Sequence, residues 1–134
     1  MTRLVSLVLV VRSLDHALAV YEQGLGLTRE GEPSDVPSLG ARHVFLRAEN
    51  CRLELLEPHD EKMPPGIFLR ARGEGVFAIA VDVESPAQTQ ERLEQASIAV
   101  RGSAGKGGGR LFLRPGDAHG VLVEVGAGEP PPAG

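Results

Sequence analysis

The sequence predicts an α+β protein in which one supersecondary unit is used twice, and three observations predict it. Two short apolar runs, residues 4–11 and 76–83, are each followed by a serine placed to cap a helix, Ser13 and Ser85. Each half then closes on strand-like segments that end in Leu53-Glu54-Leu55 and in Val123-Glu124-Val125. Finally, Ser6-Leu7-Val8-Leu9 overlays Ala78-Ile79-Ala80-Val81 at an offset of 72 residues, the two serines keep that offset, and the two glutamates are offset by 70. The order strand, helix, short strand or loop, hairpin therefore reads as an internal duplication.

Taken in order, residues 4–11 are too few for a typical helix or a membrane span, and they run directly into Arg12-Ser13-Leu14-Asp15, a helix start without a convincing small-residue cleavage site. A buried strand is the expectation. Leu14, Ala17, Leu18, Tyr21 and Leu25 then form one apolar helical stripe, closed by Gly24 and Gly26. Residues 31–40, rich in Gly, Pro, Ser and Asp, read as a loop. Residues 43–47 and 52–57 read as a hairpin turning at Ala48-Glu49-Asn50. Residues 58–66 form a polar connector, and the stretch to Gly75 is open between a short helix and irregular chain. After the strand at 76–83, Ser85-Pro86-Ala87-Gln88 has the form of a capping box and predicts a helix to about residue 95. The short segment 98–100, a glycine-rich stretch at 102–109 and strands at 111–114 and 121–125 complete the ordered chain, and the proline-rich tail is expected to be loose.

Composition narrows the function. Apolar residues make up 42% of the 134 and charged residues 24%, enough for a buried core. Fourteen Lys and Arg against eighteen Asp and Glu leave a net charge of -4, which offers no broad cationic surface to nucleic acid. Aromatic residues are 4% of the chain and Trp is absent, so base-stacking platforms lack material. The single Cys51 excludes an intramolecular disulfide and a cysteine zinc cluster, and it suits a reducing, cytoplasmic setting without membrane attachment.

Alternation places Leu53 and Leu55 on one face of their strand and Glu54 on the other, and it treats Glu124 between Val123 and Val125 in the same way. Two equivalent modules can bring these acids to one concave site, where paired carboxylates act as general acid and base. His43 shares a face with Phe45 and Arg47 by the same alternation. It reads either as a ligand-binding group or as a half-buried histidine hydrogen-bonded to a neighbour. His16, His59 and His119 read as solvated, the latter two near Asp60 and Asp117. The loop around Lys106 and Arg110 lacks the Ser or Thr and the following helix of a nucleotide P-loop. It reads as a connector or as a flap able to touch an anion.

The segments Leu9-Val10-Val11-Arg12-Ser13-Leu14-Asp15, Gly24-Leu25-Gly26-Leu27, Leu53-Glu54-Leu55-Leu56-Glu57-Pro58 and Gly120-Val121-Leu122-Val123-Glu124-Val125 resemble the vicinal-oxygen-chelate superfamily, most of all its methylmalonyl-CoA epimerase branch. The resemblance spans nearly the whole chain. It implies two paired βαβββ modules, about 1–58 and 74–126, forming a cup-shaped mixed sheet with helices outside, then a flexible tail at 127–134. It also implies a homodimer and a divalent metal held at four positions, which carry over to Ser6, Glu54, Ala78 and Glu124. Both histidines expected in that set are absent. The family's acid/base position, aligned loosely on Pro37-Ser38-Leu39-Gly40, falls on Ser38, which is no acid.

No tightly held cofactor is therefore expected; two carboxylates and a hydroxyl suit at most loosely held Mg, Mn or Ca. Two functions remain open. One is a small-molecule binding protein whose ligand meets Ser6, His43, Phe45, Glu54, Ala78 and Glu124. The other is an isomerase or lyase that abstracts a proton beside a carbonyl, with Glu54 and Glu124 catalytic, or with a metal site completed by His43 and water.

Overall fold

The computed structural model describes residues 1–102 and 110–127, with eight strands and three α-helices in an α+β arrangement. Residues 6–78 form one compact unit, and residues 1–5 with those from 79 onward form another. The expected tail beyond 127 and the glycine-rich stretch with Lys106 lie outside the described residues.

In the unit of residues 6–78 the strands are β1 (Arg3–Val10), β2 (Thr28–Val36), β3 (Ala41–Arg47) and β4 (Arg52–Pro58), in spatial order β2-β3-β4-β1. β1 runs parallel to β4, pairing Ser6 with Arg52 and Val8 with Glu54. β3 runs antiparallel to β4, pairing Phe45 with Glu54, and the hairpin closes through Ala48 N–H to the Cys51 carbonyl at 2.9 Å. Because side chains alternate, Leu7, Leu9, Val44, Leu46, Leu53 and Leu55 share one face. There they pack on Leu14, Ala17 and Leu18 of α1 (Leu14–Leu18). The opposite face is apolar only at one end. Val8, Val10, Ala41 and Leu56 meet Phe68 and Leu69 of α2 (Pro64–Arg72), which settles the stretch left open by the sequence as a helix.

The start of α1 is fastened three ways. Ser13 Oγ accepts from His16 N–H at 3.2 Å, Leu14 N–H donates to Glu57 Oε2 at 2.7 Å, and Arg12 N–H donates to Glu74 Oε2 at 3.0 Å. The helix then widens into a π-helical turn over Ala19–Gly24, where Leu25 N–H reaches back five residues to the Val20 carbonyl. That widening corrects the expected stripe. The extra backbone per turn rotates Leu25 off the sheet-facing side, leaving it 66% exposed while Leu14, Ala17 and Leu18 stay buried.

Residues 31–40 also depart from expectation. Most of them belong to β2, with a register shift between Glu30 and Ser34, and only Pro37–Leu39 forms a 3₁₀ turn. Gly31 and Pro33 suggested a loop, but β2 is the outer strand of its unit, where a proline and a bulge are tolerated.

The second unit repeats the plan with β5 (Gly75–Asp82), α3 (Pro86–Gln95), β6 (Arg101–Gly102), β7 (Leu111–Leu113) and β8 (Leu122–Gly126), in spatial order β6-β7-β8-β5. Phe112 pairs with Glu124 and Arg101 with Phe112. Ser85 Oγ accepts from Gln88 N–H at 3.2 Å, the counterpart of the Ser13 cap. Val83, Leu111 and Val125 form the core of this unit with Val81, Val100 and Val123. No helix among the described residues is long and apolar enough to cross a membrane.

Candidate functional site

The face of the β2-β3-β4-β1 sheet that turns away from α1 carries the polar residues of interest. α2 covers only the end at Leu56, so the middle and far end of that face hold Glu54 and Arg52 on β4, His43, Phe45 and Arg47 on β3, and Ser6 on β1. His43 and Glu54 lie diagonally across the β3/β4 ladder, a spacing within reach of long side chains. His43 Nδ1 and Glu54 Oε2 stand 2.6 Å apart, with the two side chains 20% and 17% exposed. A carboxylate only accepts, so Nδ1 carries a proton in this pair, and it is the neutral form of the ring that offers a lone pair at Nε2.

Phe45 touches both His43 of this dyad and Arg52 beside it. Its ring meets the His43 ring edge-on, with centroids 4.9 Å apart at 62°, and the Arg52 guanidinium lies over it at 4.2 Å. Arg52 Nε donates to Glu30 Oε1 at 3.3 Å, and Arg47 Nε approaches the same oxygen at 3.1 Å. Arg52 and Glu30 were not singled out by the sequence. The alternation that placed Glu54 also puts Arg52 on its face, whereas Glu30 lies just before the stretch at 31–40 read as a loop and was assigned to no element.

Glu124, in the other unit, is engaged differently. Its carboxylate forms an ion pair with Arg110, and the side chains are 33% and 60% exposed. Of the remaining residues singled out by the sequence, Ser6 is half-buried beside Arg52 in register, and Ala78 is buried and presents only a methyl group. Ser38 is exposed on the 3₁₀ turn. His59 pairs with Asp35 at 2.7 Å and not with Asp60, because β2 carries Asp35 to it. The Cys51 thiol donates to the Arg52 carbonyl at 3.4 Å.

A second ion pair has a different task. Arg29 forks onto Glu22 with Nε–Oε2 at 2.9 Å and Nη2–Oε1 at 2.7 Å, tying the π-helical turn to β2. Hydrogen bonding from Arg29 holds the Glu22 carboxyl below its ordinary range, and Glu22 in turn raises Arg29. Two surface hollows, of about 290 and 360 Å³, lie elsewhere on this unit. Among the charged groups that line them, Arg12 pairs with Glu74, Arg70 with Glu61, and His59 with Asp35, which lines neither hollow. Among the described residues, His43–Glu54 is the more buried of two histidine–carboxylate pairs, the other being His59–Asp35.

Two βαβββ units, each presenting a mid-strand glutamate opposite a phenylalanine, define a duplicated-module protein of the glyoxalase class. The chain belongs to the Glyoxalase/Bleomycin resistance protein/Dioxygenase superfamily, whose family model matches residues 3–125. It is 34% identical over 129 residues to an ethylmalonyl-CoA/methylmalonyl-CoA epimerase of Cereibacter sphaeroides, covering 92% of this chain and 96% of that one. It is 30% identical to the mitochondrial methylmalonyl-CoA epimerase of Bos taurus, over 92% of this chain and 73% of the relative. Among solved structures, a hypothetical protein from Bacillus halodurans superposes with a TM-score of 0.80 at 29% identity, covering 99% of both chains. A methylmalonyl-CoA epimerase in complex with methylmalonyl-CoA and NH4+ superposes with a TM-score of 0.74 at 26% identity, covering 94% of each chain.

Proposed function

We propose that the protein is an epimerase-type isomerase that moves the proton on the carbon beside the carbonyl of a coenzyme A thioester, with His43 as the base and Glu54 as its orienting partner. The observation that carries this reading is the 2.6 Å contact between His43 Nδ1 and Glu54 Oε2 on the open sheet face. The similarity to epimerases of malonyl-type thioesters supplies the reaction class.

In the step proposed, the C–H bond beside the carbonyl breaks, its proton goes to His43 Nε2, and the electron pair moves onto the carbonyl oxygen as an enolate. Glu54 holds the ring in the Nδ1-protonated tautomer and offsets the positive charge that forms on it. The planar enolate has lost its handedness: return of the proton from His43 restores the starting isomer, and delivery of a proton from water to the opposite face completes the isomerisation.

The family's metal does not fit the residues that occupy its four positions. Ala78 has no donor atom, Ser6 offers a neutral hydroxyl, the Glu54 carboxylate is engaged by His43 and the Glu124 carboxylate by Arg110. Zinc, cobalt or nickel prefers imidazole or thiolate ligands, so no step is routed through a metal and at most loosely held Mg, Mn or Ca is compatible. Glu124, read from the sequence as catalytic, becomes in this reading an ion-paired group outside the proton transfer. A cytoplasmic homodimer belongs to the same proposal; the free thiol of Cys51 suits that compartment, and light scattering of the purified protein tests the dimer.

The experiment is incubation with methylmalonyl-CoA in D₂O, with the protein first treated with a chelator. Incorporation of deuterium at the carbon beside the carbonyl supports the reading. Incorporation that depends on added divalent metal, or none at all, overturns it.

A further inference from the structure

We infer that Arg52 is a specificity residue that grips a carboxylate on the substrate, so that the site is built for 2-carboxyacyl thioesters and not for simple acyl thioesters. The inference rests on the proton-transfer reading above and names its substrate class.

Three features carry it. Arg52 lies two residues before Glu54 on β4, so both side chains leave the same face of the sheet within one pleat repeat. Its guanidinium is fixed from two sides, by the Phe45 ring at 4.2 Å and by Glu30 through Nε at 3.3 Å. Neither contact uses the outer edge formed by its two terminal nitrogens, whose spacing matches the two oxygens of a carboxylate. Arg47 approaches the same Glu30 oxygen at 3.1 Å, so two guanidiniums share one carboxylate and this trio retains one positive charge. The nearest further acid on the face, Glu54, is turned to His43.

In a 2-carboxyacyl thioester the carbon that loses the proton also bears the carboxylate. A base at His43 and a cation on the same face, both resting on Phe45, suit such a carbon. Arg52 is not one of the four metal-ligand positions that the family resemblance carries over. It therefore contributes a cationic contact to an anion that Ser6, with a neutral hydroxyl, and Ala78, with no donor atom, do not provide.

The test compares the wild-type protein with Arg52→Met and Arg52→Lys on two probes, methylmalonyl-CoA and propionyl-CoA. Readouts are KM and kcat for deuterium incorporation, binding by calorimetry, and thermal melting. The expected result is a KM for methylmalonyl-CoA raised about tenfold or more in Arg52→Met, since loss of a charge-assisted fork weakens binding by that order. Arg52→Lys should recover part of the loss, and the effect of Arg52→Met should be larger for methylmalonyl-CoA than for propionyl-CoA. An unchanged KM for methylmalonyl-CoA in both variants overturns the inference while leaving the proton-transfer reading intact. If the wild-type protein exchanges neither probe but binds methylmalonyl-CoA in an Arg52-dependent way, Arg52 keeps its role and the proton-transfer reading falls. Failure of the wild-type protein to bind or exchange either probe overturns both. Arg52→Lys keeps charge and stem, so it decides the matter if Arg52→Met does not fold.

Discussion

The two halves place a glutamate at the same point of the same strand, opposite a phenylalanine, and give it different partners. Glu54 meets the imidazole of His43 and is mostly buried, whereas Glu124 meets the guanidinium of Arg110 and is twice as exposed. An imidazole takes up and releases a proton near neutral pH and a guanidinium does not. Duplication thus supplied two equal positions, and the neighbouring side chain decides which one is suited to proton chemistry.

Substitution of the two glutamates breaks that comparison most sharply. Glu54→Gln removes the carboxylate charge that offsets a protonated His43 and leaves an amide that can donate as well as accept at Nδ1, so it should lower the exchange rate about 100-fold or more, whereas Glu124→Gln should change it only a few-fold. Stopped exchange assays on both variants at matched pH check this, and equal losses would return Glu124 to the catalytic set.

A stability comparison comes next. Leu55 is fully buried between β4 and α1, and Leu55→Ala should cost about 2–5 kcal/mol. Leu111 plays the same part in the other unit, so Leu111→Ala should cost a similar amount. Urea melts followed by tryptophan-independent circular dichroism measure both, and they report whether the two units unfold in one transition or two.

The helix caps sharpen the comparison at a smaller scale. Removal of a serine cap costs about 0.5–2 kcal/mol. Ser85→Ala should sit at the upper end and Ser13→Ala at the lower, because Glu57 and Glu74 also accept backbone N–H groups at the start of α1. Thermal melts of the two variants decide it.

The repeat, the caps, the hairpin and the face on which Glu54 sits were legible in the sequence because they depend on local rules: period-two alternation, serine before an apolar stripe, and an apolar run bounded by turns. Of the two readings of His43, the structure matches the half-buried histidine hydrogen-bonded to a neighbour, that neighbour being Glu54. Three features were not legible, for distinct reasons. β2 was hidden by Gly31 and Pro33, which an edge strand tolerates, and with it went Glu30 as an anchor for Arg52. The π-helical turn depends on how α1 packs, so Leu25 could not be excluded from the stripe by spacing alone. The partner of His59 is set by the register of β2 on β3, a long-range choice that left Asp60 as the nearest acid in sequence.

The smallest effect expected is in acid. Glu22 is held below its ordinary range in the folded protein by hydrogen bonding from Arg29, so its contribution is present above the ordinary carboxylate range and is lost as pH falls through the lowered value. Glu22→Gln should therefore show a shallower fall in melting temperature between neutral and acid pH than the wild-type protein. Parallel slopes would show that the pair contributes nothing.

In the proposed reaction His43 takes the proton, and no bound metal is needed to stabilise the enolate. Its most direct test is the rate of deuterium incorporation into methylmalonyl-CoA across pH 5 to 9 in chelator, for the wild-type protein and His43→Gln. Deuterium incorporation is expected in the wild-type protein, with a His43→Gln rate lower by about 100-fold or more across that range. A His43→Gln protein that keeps the wild-type rate and pH profile would contradict it.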